Sequence, residues 1–400
     1  MSGVALRLAA LLLLVAPLGG CLTRPDRDEG APPFVFRALN LREQDKQGRP
    51  AWQVTSPEAR YDINRRLATA VNPQGMIFSD GQPLYRLAAQ RATVLNDGEV
   101  IQLEGAVSIH RLGNRPVVLE AERLRWFPAR SLIELEHQPR IREGLSLVRA
   151  GQASFHLNTE TVDLRNQPVF ERWTGPDQPP VAASAPGGRA VPAPAALQLQ
   201  ASQAQWSLRS GDWQATGPIQ GQRRVPGQAR PQTLSAASMR GNSKQQNLEL
   251  LAPVVLLDPD RRTTINAQLT TIDLSAQQIA SDRPVQARIG ALVIDGAAVS
   301  VNLPRNEALI PSGCQIQQPG LELQAHQCRW NWITSQVWAQ GGVVLKRSSN
   351  GQITRSEALS GRLGPQGQVE FFSPGGRVHS QVRVQGSGPR SSPRRPAIVP

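Results

Sequence analysis

Five histidines, at positions 110, 137, 156, 326 and 379, and acid pairs such as Glu120 with Glu122 are the residues from which a reaction centre could be built. No histidine stands at metal-ligand spacing from another histidine or from a cysteine, His326 with Cys328 coming nearest. An alternating strand with one intervening glutamine is a poor frame for a metal. Glu120 and Glu122 lie two residues apart in an alternating run, which puts both on one solvated face of a strand. The chain also lacks a G-x-S-x-G elbow, a phosphate-cradling glycine loop and an H-E-x-x-H helix. We therefore expect no catalytic residue, no bound metal and no cofactor. The chain reads as a binding or conduit protein rather than an enzyme.

What the residues do supply is two-faced strands. In Trp52-Gln53-Val54, Tyr85-Arg86-Leu87, Ile101-Gln102-Leu103, Val107-Ser108-Ile109 and Leu124-Arg125-Trp126 every second side chain is apolar. Stacked in register, such strands line the inside of two facing sheets with a continuous apolar stripe. If the sheets close, the stripe is a core. If they splay at one edge, it is a groove of a shape that suits acyl chains. The interior candidates are Trp52, Val54, Tyr61, Phe78, Tyr85, Leu87, Val94, Ile101, Leu103, Val107, Ile109, Leu119, Leu124 and Trp126. The expected fold class is all-β, an extended open stack of antiparallel strands around an apolar interior groove.

The strands recur. Small residues ahead of alternating segments stand at Ala59, Ala92, Ala121, Ala153, Ala204, Ala237, Ala267, Ala297, Cys328 and Ala358, so the steps are 29 to 33 residues apart from one of 51. The long step contains a Pro/Ala/Gly-rich stretch, 174–196, that cannot hold a strand ladder. It separates a first β-stack, 34–173, from a second that continues the same repeat over 197–385; a basic, proline-rich tail, 386–400, follows. An open stack also leaves an unpaired strand at each end, Phe34-Val35-Phe36 at one and the segments Val369 to Phe372 and Val378 to Val384 at the other.

Arg7 precedes an apolar run from Leu8 to Leu18 that is too short to span a bilayer and reads as a secretory leader, 1–20. It ends in Leu18-Gly19-Gly20-Cys21, which resembles a bacterial lipobox and implies lipidation of Cys21, with residues 21–33 as a tether. Cys314 and Cys328 lie in adjacent runs, as a cross-strand disulfide pair or as two buried free thiols. The net charge of +13 is almost wholly arginine, lysine standing only at 46, 244 and 346. Most of these arginines alternate with apolar residues and read as the outward faces of strands. Nucleic acid is not an expected partner of an envelope protein, whereas an anionic glycolipid suits arginine forks.

Gly48 to Val54, Ala59-Arg60-Tyr61, Phe78, Pro83 to Ala89 and Ile101 to Val107 resemble the LptC family, the membrane-anchored periplasmic component of the lipopolysaccharide export machine, over about residues 34–173. The resemblance implies a non-enzymatic β-jelly-roll that takes lipopolysaccharide from an inner-membrane ABC transporter and passes it to bridge proteins of the same fold through edge-strand pairing. It implies a periplasmic protein held at a membrane, here by an N-terminal lipid and at the inner membrane in preference to the outer. Typical members are about half as long and carry a transmembrane anchor. The rival readings are a structural or adhesive envelope β-solenoid with a dry interior, and an envelope hydrolase, which would need a polar cleft.

Overall fold

The computed structural model describes residues 34–173, 194–362 and 368–382. The leader 1–20, Cys21 with its tether to residue 33, most of the 174–196 stretch and the tail 386–400 lie outside the described residues. Among the described residues there is no α-helix, only two single 3-10 turns, Asn96–Gly98 and Pro128–Arg130. The rest is antiparallel strand, and the alternation of side chains is why. In Val100–Arg111, Ile101, Leu103, Val107 and Ile109 are buried while the residues between them are not. Turn chemistry closes the hairpins where the sequence supplies it. Asp80 and Gly81, with φ of 51° and 75°, form the two-residue turn between Ser79 and Gln82.

All 34 strands join one continuous ladder, and that sheet is folded lengthwise into two layers. Long strands cross the fold line and pair with a different neighbour on each side of it. Residues 100–104 of Val100–Arg111 pair with Arg91–Leu95 in what we call the front layer, and residues 108–111 pair with Gln82–Ala88 in the back layer. Pro50–Asp62, Asp212–Arg223 and Gln336–Arg347 do the same further along. Elsewhere short strands alternate between the layers by tight crossings at the same edge. The hairpin tips of both layers lie at the opposite edge, where no strand pairing joins front to back, so the cross-section is a V with its mouth at the tips. The ladders run unbroken past the 174–193 stretch: Thr161–Arg165 pairs with Gln203–Ser207 in front, and Val169–Arg172 with Leu197–Gln200 behind.

The fold line is made by backbone that only particular residues tolerate. Register shifts mark the crossings at Gly105-Ala106, Gly217-Pro218 and Gly341-Gly342. Gly341 and Gly342 have φ of 81° and 61°, in the left-handed region. Small residues recur beside the line because the layers converge there. Ala59, Ala92, Ala121, Ala153 and Cys328 are buried at or next to a crossing, whereas Ala204, Ala267 and Ala358 are half-buried and Ala237 and Ala297 exposed.

Three clusters of buried apolar side chains lie between the layers. The first runs from Ala59 to Leu208, the second from Leu199 to Val254 and the third from Ile294 to Leu359. In the third, a disulfide joins Cys314 to Cys328 with Cα atoms 5.9 Å apart. The expectation of a cross-strand pair differs from what is found. Cys314 lies opposite Ala325 in the back layer and Cys328 opposite Ile310 and Ala339 in the front layer, so the bond ties one layer to the other.

Two stability measurements follow. A Cβ at Gly217 would sit 1.7 Å from the Ala237 carbonyl oxygen, whereas one at Gly227 would meet nothing within 4 Å. Gly217→Ala is expected to cost about 3 kcal/mol or more in urea unfolding, and Gly227→Ala, strained only by its left-handed backbone, about 1 kcal/mol. Replacing Cys314 and Cys328 together by alanine is expected to cost about 3 kcal/mol through the loop they close, an effect that reductant should reproduce in the wild type and not in the variant.

Candidate functional site: an apolar interior with a sealed and a splayed section

The inward face of the front layer carries a cross-strand row that starts at Trp126 and passes through Ile133, Phe155 and Val162 to Trp206. The back layer faces it with Leu87, Ile109, Leu119 and Ile141. All of these are buried, and several have no exposure at all. Rings bridge the gap between layers: Trp52 meets Trp126 edge-on with centroids 5.8 Å apart, and Tyr85 meets Phe155 at 5.3 Å. This section is sealed.

Further along, the same inward rows change character. Leu256, Ile265 and Ala287 in the back layer and Ile272, Ile279 and Val301 in front continue the register. All six are only half-buried. They lie between the second and third buried clusters, Ile272 packing against the second and Ala287 against the third. The cause is legible in the side chains. Between Trp213 and Trp330 the chain contains no Phe, Trp or Tyr, so no ring is available to span the gap.

Of the interior candidates, Tyr85, Leu87, Ile101, Leu103, Val107, Ile109, Leu119, Leu124 and Trp126 are all buried in the first cluster, and Trp52 and Val94 pack against it. Val54 and Tyr61 are half-buried outside the cluster, near the N-terminal end, where the Tyr61 hydroxyl donates to Asp97 at 3.2 Å. Phe78 is also outside the cluster, and Ile77 takes the inward place instead. The sequence reading placed every candidate in the sealed section and none in the splayed one; the missing signal is the aromatic-free interval. The outward arginines behave as strand-face residues, Arg123 pairing with Glu104 and Arg142 with Glu120. No group of three or more His, Cys, Asp or Glu side chains among the described residues is placed to hold a metal.

One polar cluster breaks the apolar interior, and it sits at the mouth of the sealed section. Glu160 is at the tip of a front-layer hairpin, between Gln152–His156 and Thr161–Arg165, and its side chain is 6% exposed. Its Oε2 accepts hydrogen bonds from the Tyr85 hydroxyl at 3.0 Å and from Arg111 Nε at 2.9 Å, both in the back layer. Its Oε1 accepts from Arg209 Nε at 3.0 Å, on the next front-layer hairpin. The cluster thus clasps the two layers across the mouth. Burial pushes the Glu160 carboxyl up, but the hydrogen bonds from Arg111, Arg209 and Tyr85 outweigh it and hold the group below the ordinary carboxylate value. Burial also pushes the Tyr85 hydroxyl up, and the neighbouring Glu160 charge adds to it.

The fold is thus that of an extended β-jelly-roll with an apolar interior. Residues 4–168 match the family model described as lipopolysaccharide-assembly, LptC-related, a match that covers the N-terminal part of the chain. Among solved structures the chain is similar to LptH of Pseudomonas aeruginosa, described as the LptA-homologous periplasmic component of the lipopolysaccharide transport device. That similarity has 14% identity and a TM-score of 0.26, over 35% of this chain and 94% of the other. No curated protein sequence matches.

The clasp has a pH signature. A carboxyl held below its ordinary value of 4.5 gives stability that is fully present above that value and is lost as the pH falls through the lower folded-state pKa. Glu160→Gln is expected to lower stability by about 1–3 kcal/mol near neutral pH. In urea titrations at decreasing pH, the gap between variant and wild type should close below 4.5.

Proposed function

We propose that this protein is a non-enzymatic periplasmic lipopolysaccharide carrier. In this reading it receives lipopolysaccharide from an inner-membrane ABC transporter and passes it along a β-jelly-roll bridge towards the outer membrane, anchored through a lipid on Cys21. The observation that carries the proposal is the inward apolar row, continuous in register through both stacks and only half-buried between about residues 255 and 302. Acyl chains need a long, smooth, non-specific apolar surface with a side opening through which a sugar headgroup stays in water. Leu, Ile, Val and Ala without rings supply that surface.

The terminal strands suit handover. Phe34–Gln44 pairs only with Pro50–Asp62, and Phe34, Val35 and Phe36 are 54%, 56% and 46% exposed. At the other end Phe372 is 44% exposed on the short strand Val369–Phe372. Apolar side chains on an unpaired edge are a liability for a free protein and an asset for one that extends its sheet onto a partner. A ladder of this length in one chain also lets a single molecule stand for a receiver and part of the bridge.

Photocrosslinking residues placed at Ile272 and Ile279, and at Leu103 and Trp126, test the reading in cells. Lipopolysaccharide adducts are expected from Ile272 and Ile279, and weaker ones from the sealed positions. A folded protein that gives no adduct at any of the four is a structural solenoid instead.

A further inference from the structure

The clasp is not what this turn requires. Glu160 has φ of 53°, and the last residue of the equivalent front-layer hairpin turns is also left-handed at Arg66, Gln246, Gln277, Asn306 and Ser335. None of those is buried. The fold therefore accepts many residues at this place, yet only here among these turns is a carboxylate buried and surrounded by donors. Its two oxygens collect two guanidinium groups and a phenol from three different hairpins or strands, at the mouth and directly above the Tyr85–Phe155 ring contact. Arg111 and Arg209 each reach the carboxylate through Nε; Arg209 spends Nη2 on the Asn158 carbonyl at 3.2 Å, and the two-pronged fork that Arg111 offers to a phosphate is not used on Glu160.

Two further observations extend the site. On the back layer, cross-strand register carries the row of Arg111 through Val117, Glu143 and Ser146 to Arg172, then through Leu197 to Arg223, so two further arginines, with one carboxylate between, lie on the row of Arg111. On the row that holds Phe155, two strands to either side of it, the indole N–H groups of Trp126 and Trp206 are buried with no acceptor among the described residues. Buried donors are seldom left so. A phosphorylated amphiphile matches all of this: phosphate for the guanidinium groups and the phenol, and ester or amide carbonyls just below the headgroup for the indoles.

We propose that Tyr85, Arg111 and Arg209 form a phosphate site for the headgroup of an anionic amphiphile, and that the Glu160 carboxylate is an internal stand-in which the phosphate displaces. Displacement frees the front-layer hairpin from Tyr85 and Arg111 and so unseals the mouth above the first cluster. The inference rests on the carrier reading above and adds where, and by which charge, the headgroup is read.

The test uses the full-length protein with bisphosphorylated lipid A, the same lipid enzymatically dephosphorylated, and inorganic phosphate alone, with affinities for wild type, Glu160→Gln, Arg111→Gln and a Tyr85→Phe/Arg209→Gln double variant. Wild type is expected to prefer the phosphorylated lipid. Glu160→Gln should raise that preference about tenfold, and Arg111→Gln should abolish it. Tyr85→Phe/Arg209→Gln, which keeps the ring contact and removes an arginine that is 61% exposed, should halve the preference or more if Arg111→Gln does not fold. An unchanged ratio in the folded variants overturns the site and makes the clasp a purely structural tie. Inorganic phosphate that binds Glu160→Gln as tightly as the lipid does overturns the headgroup assignment. Wild type that binds neither lipid overturns the carrier reading itself.

Discussion

Two layers of one folded sheet stay at the usual spacing of about 10 Å only where side chains fill the space between them. That filling decides the rest of this molecule. Where Trp52, Tyr85, Trp126, Phe155 and Trp206 are available, rings span the gap and the interior is dry. Where the inward positions carry only Leu, Ile, Val and Ala, the ladders continue but no ring spans the gap, and those positions stay half-buried. Hydrogen bonding is indifferent to this change, because each strand satisfies its backbone within its own layer. A β-stack can therefore vary its interior from core to groove along its length with no change of topology.

The fold line supplies the complementary constraint. Closure at one edge by Gly105-Ala106, Gly217-Pro218 and Gly341-Gly342 fixes the apex of the V, so opening is confined to the opposite edge. The disulfide adds a second tie between layers close to the apex, in the section that follows the splayed one. The splayed section is thus bounded by a ring-filled core on one side and a covalently tied core on the other. An opening held between two rigid ends keeps its width without a closed barrel, and the terminal edges stay available for pairing.

Much of this was legible in the sequence, and the remainder was not for identifiable reasons. Period-two alternation and the recurring small residue announce the stacked antiparallel strands and their spacing, since both follow from local rules: pleat on the one hand, crowding at a crossing on the other. Asp80-Gly81 announces its own turn. The inward parity of Leu87, Ile109, Leu119 and Leu124 is likewise read directly, while at Phe78 a register shift between Ile77 and Phe78 defeats it. What alternation does not carry is the distance between layers. Cys314 and Cys328 look like hairpin neighbours in sequence and lie on opposite layers, because the crossing at His326 intervenes. Glu160 looks like one more polar turn residue, since its partners Tyr85 and Arg111 are 75 and 49 positions away and meet it only after the layers fold together.

The chemistry of the clasp also explains why a charged group seals this mouth when an apolar one would hold it more firmly. Burying a carboxylate with two guanidinium groups incurs a desolvation cost that good geometry roughly offsets, so such a cluster is weak as a source of stability compared with packed hydrocarbon. An apolar seal would resist every ligand alike. An ion cluster opens selectively, to a competitor with more charge and more acceptor oxygens than the group it replaces. Arg111 is also largely buried beside the Tyr85–Phe155 contact, so removing Glu160 without a replacement anion leaves an unpaired cation in an apolar wall. Such a seal yields to an anion where an apolar one would not, and in the carrier reading proposed above that combination puts selection of cargo at the mouth and non-specific holding in the interior.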